Sequence, residues 1–300
     1  MSAVPAAAAP TRASGPDWEL DFYSRPILDA DGKKRWELLI CSTPGSADSG
    51  SAFRWARTCP ADSVNSIWLR SALEEALAGA AEQDLALPRQ QRSRRASMRT
   101  MVQRAAEGLG LELVPSRRCY ALVEWLQERQ RQVYPQEPGY LVGPLAPQVQ
   151  PIRPVPVPLP EAARGEAWSW ASLPAAAVAE AAQWEIGFSG LLPLPAGLDG
   201  ATSVPGIRLF GGTRALAIAA LLAGLEPVRL EIAEAQLVLE AGLEDRWLLA
   251  NLPAEEAAAA SAAFARSRDL AAGLQFLAVQ ADGERPDLQG FWLLRDLPDG

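Results

Sequence analysis

Trp18-Glu-Leu-Asp-Phe-Tyr-Ser-Arg-Pro26, followed by Asp31-Gly-Lys-Lys-Arg-Trp-Glu-Leu-Leu-Ile40, decides how the fold begins. Trp18, Leu20 and Phe22 share one face of an extended run, and Glu19, Asp21, Tyr23 and Arg25 share the other. Asp31-Gly32 supplies turn chemistry, and Trp36, Leu38 and Ile40 resume the period of two, so the stretch predicts a β-hairpin. A third strand over 52–59 leads to Pro60 and a helix capped by Ser63, with Leu69, Leu73 and Leu77 at four-residue spacing.

Residues 88–96 are polar and Arg-rich and give no clear strand signal. Met98, Met101, Val102, Ala105 and Leu109 form a helical stripe ended by Gly108 or Gly110. Leu111 to Val114 reads as a short strand, and Ser116 as the cap of a helix reaching Gln132. If 88–96 is a strand, the order becomes β-β-β-α-β-α-β-α, the ribonuclease-H-like arrangement, an analogy of fold only. Nine of the 26 residues from Pro135 to Pro160 are proline, which predicts an extended linker. Beyond it lies a second mixed α/β domain over 161–300. Its helices are expected near 174–183, 213–224 and 253–272. Its strands are expected near 186–193, 206–210 and 228–232, in a hairpin at 236–250, and at 275–281 and 289–295. The fold class is therefore α/β with mixed (α+β) sheets in two domains, 17–134 and 161–300, after a disordered tail over 1–16.

Three hundred residues, 49% of them hydrophobic, suffice for two cores, and no apolar run is long enough to cross a membrane. The first sixteen residues lack the apolar core of a secretion signal, so a bacterial cytoplasmic protein is expected. There is no histidine, which removes Ser-His-Asp and Cys-His mechanisms and the commonest zinc ligand. Cys41, Cys59 and Cys119 sit in apolar surroundings and read as buried, reduced thiols. No cofactor motif is present. The net charge of −8 is uneven: residues 161–300 carry 9 basic and 19 acidic side chains, whereas 85–131 carry 10 arginines against 4 glutamates. A polyanion would feel that local field, because screening removes interactions beyond about 8–10 Å.

Two arginine constellations stand out. Arg117 and Arg118 fall in the first turn of the helix capped by Ser116, where cations oppose the dipole, and there they could grip phosphate. The alternative is that both pair with glutamates of neighbouring elements. Arg89, Arg92, Arg94, Arg95 and Arg99 could track a nucleic-acid backbone or simply be a solvated loop. Tyr23 is the best base-stacking candidate and Arg25 beside it a further RNA-binding candidate, while Trp18, Trp36, Trp55, Trp68 and Trp125 read as core. A nuclease would need converging carboxylates, for which Asp21, Glu74 or Glu75, and Glu124 or Glu128 are the available acids. Gly211-Gly-Thr213 reads as a turn with an N-cap rather than as an anion loop, and Phe291 and Trp292 as packing residues.

The opening hairpin also resembles a known family. Matching stretches are Trp18 to Ile40, Val114-Pro-Ser-Arg-Arg118 with Ala121-Leu-Val-Glu-Trp-Leu-Gln-Glu-Arg129 and Val133-Tyr-Pro135, and Gly290-Phe-Trp-Leu-Leu-Arg295. They resemble the Tab-two/Atab-two (Tab2/Atab2) RNA-binding factors of plants, green algae and cyanobacteria, over the whole chain after residue 16. The resemblance implies binding to messenger RNA and support for translation and assembly of photosystem reaction-centre subunits, photosystem I first and photosystem II as a further case. It implies a cyanobacterial source and no enzymatic activity. A protein-only assembly factor, with partners on the acidic C-terminal domain, is the alternative, and a metal-dependent nuclease the third reading.

Overall fold

The computed structural model describes residues 17–44, 53–88, 90–142, 153–284 and 287–296. The tail expected over 1–16, the middle of the Pro-rich stretch and Arg89 lie outside the described residues.

Strand β1 (Trp18–Leu28) pairs antiparallel with β2 (Lys34–Ser42), which pairs antiparallel with β3 (Arg54–Cys59). The hairpin turn uses Gly32 at φ +77°, a left-handed conformation that glycine enters without a steric penalty. Helix α1 (Ser66–Ala81) follows, then β4 (Gln90–Ser93), α2 (Arg99–Ala106), β5 (Glu112–Pro115) and α3 (Tyr120–Gln132). The sheet order is β3-β2-β1-β4-β5, with β4 parallel to β1 and β5 parallel to β4. The polar segment is thus a strand, and the conditional order β-β-β-α-β-α-β-α is the one found.

Three expectations are corrected here. The cap of α1 is Asn65, not Ser63: its side-chain oxygen accepts from the amides of Ile67 and Trp68, and Ser63 lies in a preceding 3-10 turn. The last helix begins at Tyr120, and the Ser116 hydroxyl accepts instead from the Arg118 amide in a local turn. The polar face of β1 is also no solvent face. Trp18, Leu20 and Phe22 pack against α1 and α2, while α3 covers the opposite side through Leu122, Trp125 and Leu126, so Glu19 and Asp21 are buried too.

The C-terminal half contains β6 (Val157–Pro158), β7 (Ala167–Pro174), α4 (Ala175–Ala179), β8 (Ile186–Gly190) and β9 (Ser203–Phe210). It continues with α5 (Ala215–Leu225), β10 (Pro227–Ala233), β11 (Gln236–Ala241), β12 (Asp245–Asn251), α6 (Ala254–Leu270), β13 (Leu274–Gln280) and β14 (Leu288–Arg295). These strands form two sheets, β10-β11-β12-β6 and β7-β9-β13-β14-β8. One core joins them, with Ile218 and Leu222 of α5 packed among Ile207, Leu277, Leu230 and Leu239. Strand β7 gave no sequence signal, because Ala167-Trp-Ser-Trp alternates too weakly against its small neighbours. Thr213 lies in a 3-10 turn and provides no side-chain cap. Phe291 and Trp292 are buried as expected, and the three cysteines are buried and unpaired, burial pushing each thiol up, Cys59 to about 11.

Candidate nucleic-acid interface

The arginines of the N-terminal half divide into three groups. Arg25, Arg92 and Arg118 are buried inside the fold. Arg25 donates to Asp21 at 2.8 Å and Glu37 at 3.0 Å. Arg92 bridges Asp17 at 2.8 Å and both oxygens of Glu226, at 2.6 and 3.0 Å, across to the C-terminal half. Arg118 donates to the carbonyls of Pro227 (3.0 Å), Gly190 (2.7 Å) and Leu293 (3.0 Å). Gly190 makes this possible, since a Cβ there would stand 2.7 Å from the guanidinium. Burial holds the Arg118 pKa below the usual guanidinium value. These three side chains are withdrawn from solvent, so the reading of them as phosphate contacts is corrected to one of structural ties. Helix α3 starts after Arg117 and Arg118, which also removes the N-terminal dipole from that argument.

Arg99 is exposed at the start of α2 and is not among the residues that line the cleft described next. The remaining candidates, Tyr23, Arg94, Arg95 and Arg117, come together at a cleft of about 460 Å³ between the two halves. The far wall supplies Arg153, Arg229 and Arg246, which sequence reasoning missed because the first lies in the Pro-rich stretch and the other two in an acidic region. Their signal was the register: Arg229 and Arg246 flank Glu240 in one cross-strand row over β10, β11 and β12.

Six arginines therefore line the cleft against two glutamates, Glu240 and Glu244. Glu240 is the shared counterion, 2.8 Å from both Arg117 and Arg229, 3.8 Å from Arg246 and 4.0 Å from Arg153. Burial opposes its ionisation, but the hydrogen bonds and charges of Arg229 and Arg117 prevail and pull its pKa to about 2. Behind the lining, Asp21 holds Arg95 at 2.6 Å, Glu231 holds Arg153 and Arg246, and Asp296 holds Arg229. Arg94 differs from the rest. It has no ion pair among the described residues, and its buried Nη1 has no hydrogen-bond partner. The Arg95 guanidinium sits 4.0 Å over the Tyr23 ring, and Trp36 meets that ring edge-on, so one face of Tyr23 is already occupied. Such a cleft can hold closely spaced phosphates by charge-assisted hydrogen bonds.

The acids considered for metal-assisted hydrolysis do not converge. Asp21 pairs with Arg25 and Arg95, Glu74 with Arg70, Glu75 with Arg57, Glu124 with Arg295 and Glu128 with Arg54. Among the described residues no three acids or cysteines form a metal-binding group, and no helix is long and apolar enough to cross a membrane.

Residues 17–129 match the family described as RNA-binding protein Tab2/Atab2 N terminal, and residues 146–295 its C-terminal domain. The chain belongs to the Tab2/Atab2 family of RNA-binding proteins. A Zea mays relative named Protein TAB2 homolog, chloroplastic, is 37% identical over 293 residues, spanning 94% of this chain and 72% of its own length. An Arabidopsis thaliana protein of the same name is 36% identical, spanning 94% and 75%. A solved structure, the simian T-cell lymphotropic virus intasome with PP2A regulatory subunit B56 gamma, covers 78% of both chains at 10% identity. Its TM-score is 0.24, too low to bear on the fold.

Proposed function

We propose that this Tab2/Atab2 protein binds messenger RNA in the inter-domain arginine cleft and, without catalysing a reaction, supports translation and assembly of photosystem I reaction-centre subunits, with photosystem II as a further case. The observation that carries the site is Arg94, which has no ion pair among the described residues and lines a cleft with five further arginines. The photosystem role rests on the family resemblance, and the two plant relatives are named as chloroplastic proteins. A cyanobacterial cytoplasm is the equivalent compartment proposed here. The mode is backbone tracking: the guanidinium groups supply affinity without reading bases, and sequence preference would come from neighbouring contacts.

Fluorescence titration of a single-stranded RNA at several salt concentrations tests this. Each phosphate contact contributes about 0.7 to the slope of log affinity against log salt, so Arg94→Ala/Arg153→Ala should weaken binding and lower the slope by about 1.4. Arg99→Ala should leave both unchanged. An unaltered slope in the double variant would put RNA elsewhere on the protein, and leave protein partners as the reading for the cleft.

A further inference from the structure

A second cleft, of about 1060 Å³, lies on the C-terminal five-stranded sheet, and its chemistry is unlike that of the arginine cleft. Its floor is the face of the sheet carrying the rows Ser169–Arg208–Ala278–Phe291 and Ala171–Gly206–Phe276–Leu293. One end of this face is closed by Ala175 and Val178 of α4. The other end is open under Ala260, Ala263 and Phe264 of α6.

Aromatic rings line it unequally. Phe276 and Phe291 stack at 5.5 Å and 25° within the floor and are buried, with Trp184 edge-on to Phe291 at 5.2 Å. Trp170, 41% exposed, leans on Phe264 at 5.9 Å and offers the accessible ring of the lining. Gly206 keeps the floor flat, because a Cβ there would stand 2.5 Å from the Phe276 ring. Small side chains at 171, 260, 263 and 278 keep the space open.

Among the described residues, Arg208 is the only cation lining this space, it has no ion pair, and its Nε is buried without a hydrogen-bond partner. Glu185 and Asp287 are exposed at the rim and beyond ion-pair distance of it. Its guanidinium lies 5.6 Å from the centre of the Phe210 ring. A guanidinium held in apolar surroundings with an unsatisfied donor calls for an anion, and a planar fork matches a carboxylate in particular. The volume is that of a site for a small organic molecule.

We infer that this cleft is a binding site for a small planar aromatic carboxylate, its ring stacked on Trp170 and its carboxylate on Arg208. The site is separate from the proposed RNA cleft and does not depend on it.

Isothermal titration of the full chain with 2-naphthoate, and with neutral 2-naphthamide, tests the assignment. Saturable one-to-one binding of 2-naphthoate is expected, and Arg208→Gln should weaken it by about tenfold or more, the worth of a charge-assisted hydrogen bond, while leaving the amide unchanged. Ala263→Trp, a change at an exposed position of α6, should fill the cleft and abolish binding of both probes without disturbing the core. Absence of saturable binding, equal affinity for the two probes, or 2-naphthoate affinity unchanged by either substitution would each overturn the inference.

Discussion

Glu19 shows how little a side chain's class says about its role. It sits on β1 with its carboxylate accepting from the Leu122 amide at 2.8 Å and the Thr43 hydroxyl at 2.9 Å. Burial pushes its pKa up from 4.5 to about 7, and those hydrogen bonds, with Arg92 and Arg118, only moderate the rise. A carboxyl whose pKa is raised on folding favours the folded state most when protonated. Its contribution is full below about pH 4.5 and is lost as pH rises through 7, a change of about 3 kcal/mol. Glu19→Gln can still accept from Leu122 and can donate to Thr43, so it should remove this decline. Urea unfolding at pH 5 and pH 8 checks it: wild type should lose stability between the two, and the variant should not. At this scale the candidate arginines were legible as residues but not as roles. Arg94 and Arg118 look alike in sequence, yet one lines a cleft with no ion pair among the described residues and the other donates to three carbonyls of the opposite domain.

Elements were more legible than residues, because hydrophobic periodicity is local. The hairpin at 18–42, α1 and the closing strands β13 and β14 follow their apolar spacing. What failed was the detail at ends. Ser63 and Asn65 are both good caps by composition, and only the 3-10 turn at 61–63 displaces the helix start to favour Asn65. Asn65→Ala should therefore destabilise the protein by about 1 kcal/mol, while Ser63→Ala should cost far less. Thermal unfolding of the two variants side by side decides between the caps. Strand β4 was illegible for a different reason: Gln90, Gln91, Arg92 and Ser93 offer no apolar pattern, and the burial of Arg92 is made tolerable by partners far away, Asp17 and Glu226.

Over the whole molecule, the arginine-rich N-terminal domain and the acidic C-terminal one are not independent surfaces. Arg92 meets Glu226, Arg117 meets Glu240, Arg295 meets Glu124, and the Tyr120 hydroxyl donates to the Val228 carbonyl at 2.7 Å. Part of the charge asymmetry is thus spent on joining the halves, and what remains gathers in the cleft. Arg92→Ala/Arg118→Ala leaves Glu226 and three carbonyls without partners. It should cost roughly 3–5 kcal/mol and split calorimetric unfolding into two transitions. One unshifted transition would mean that the ties are incidental to cohesion.

The chain's own order of residues determined the mixed α/β class, the hairpin that opens it, the absence of histidine chemistry and the concentration of arginine over 85–131, since all of these depend on composition and near neighbours. Only the tertiary structure decided which of the 85–131 arginines reach solvent, because their counterions lie up to 134 residues away along the chain. The same holds for both clefts, whose walls are drawn from strands and helices distant in sequence.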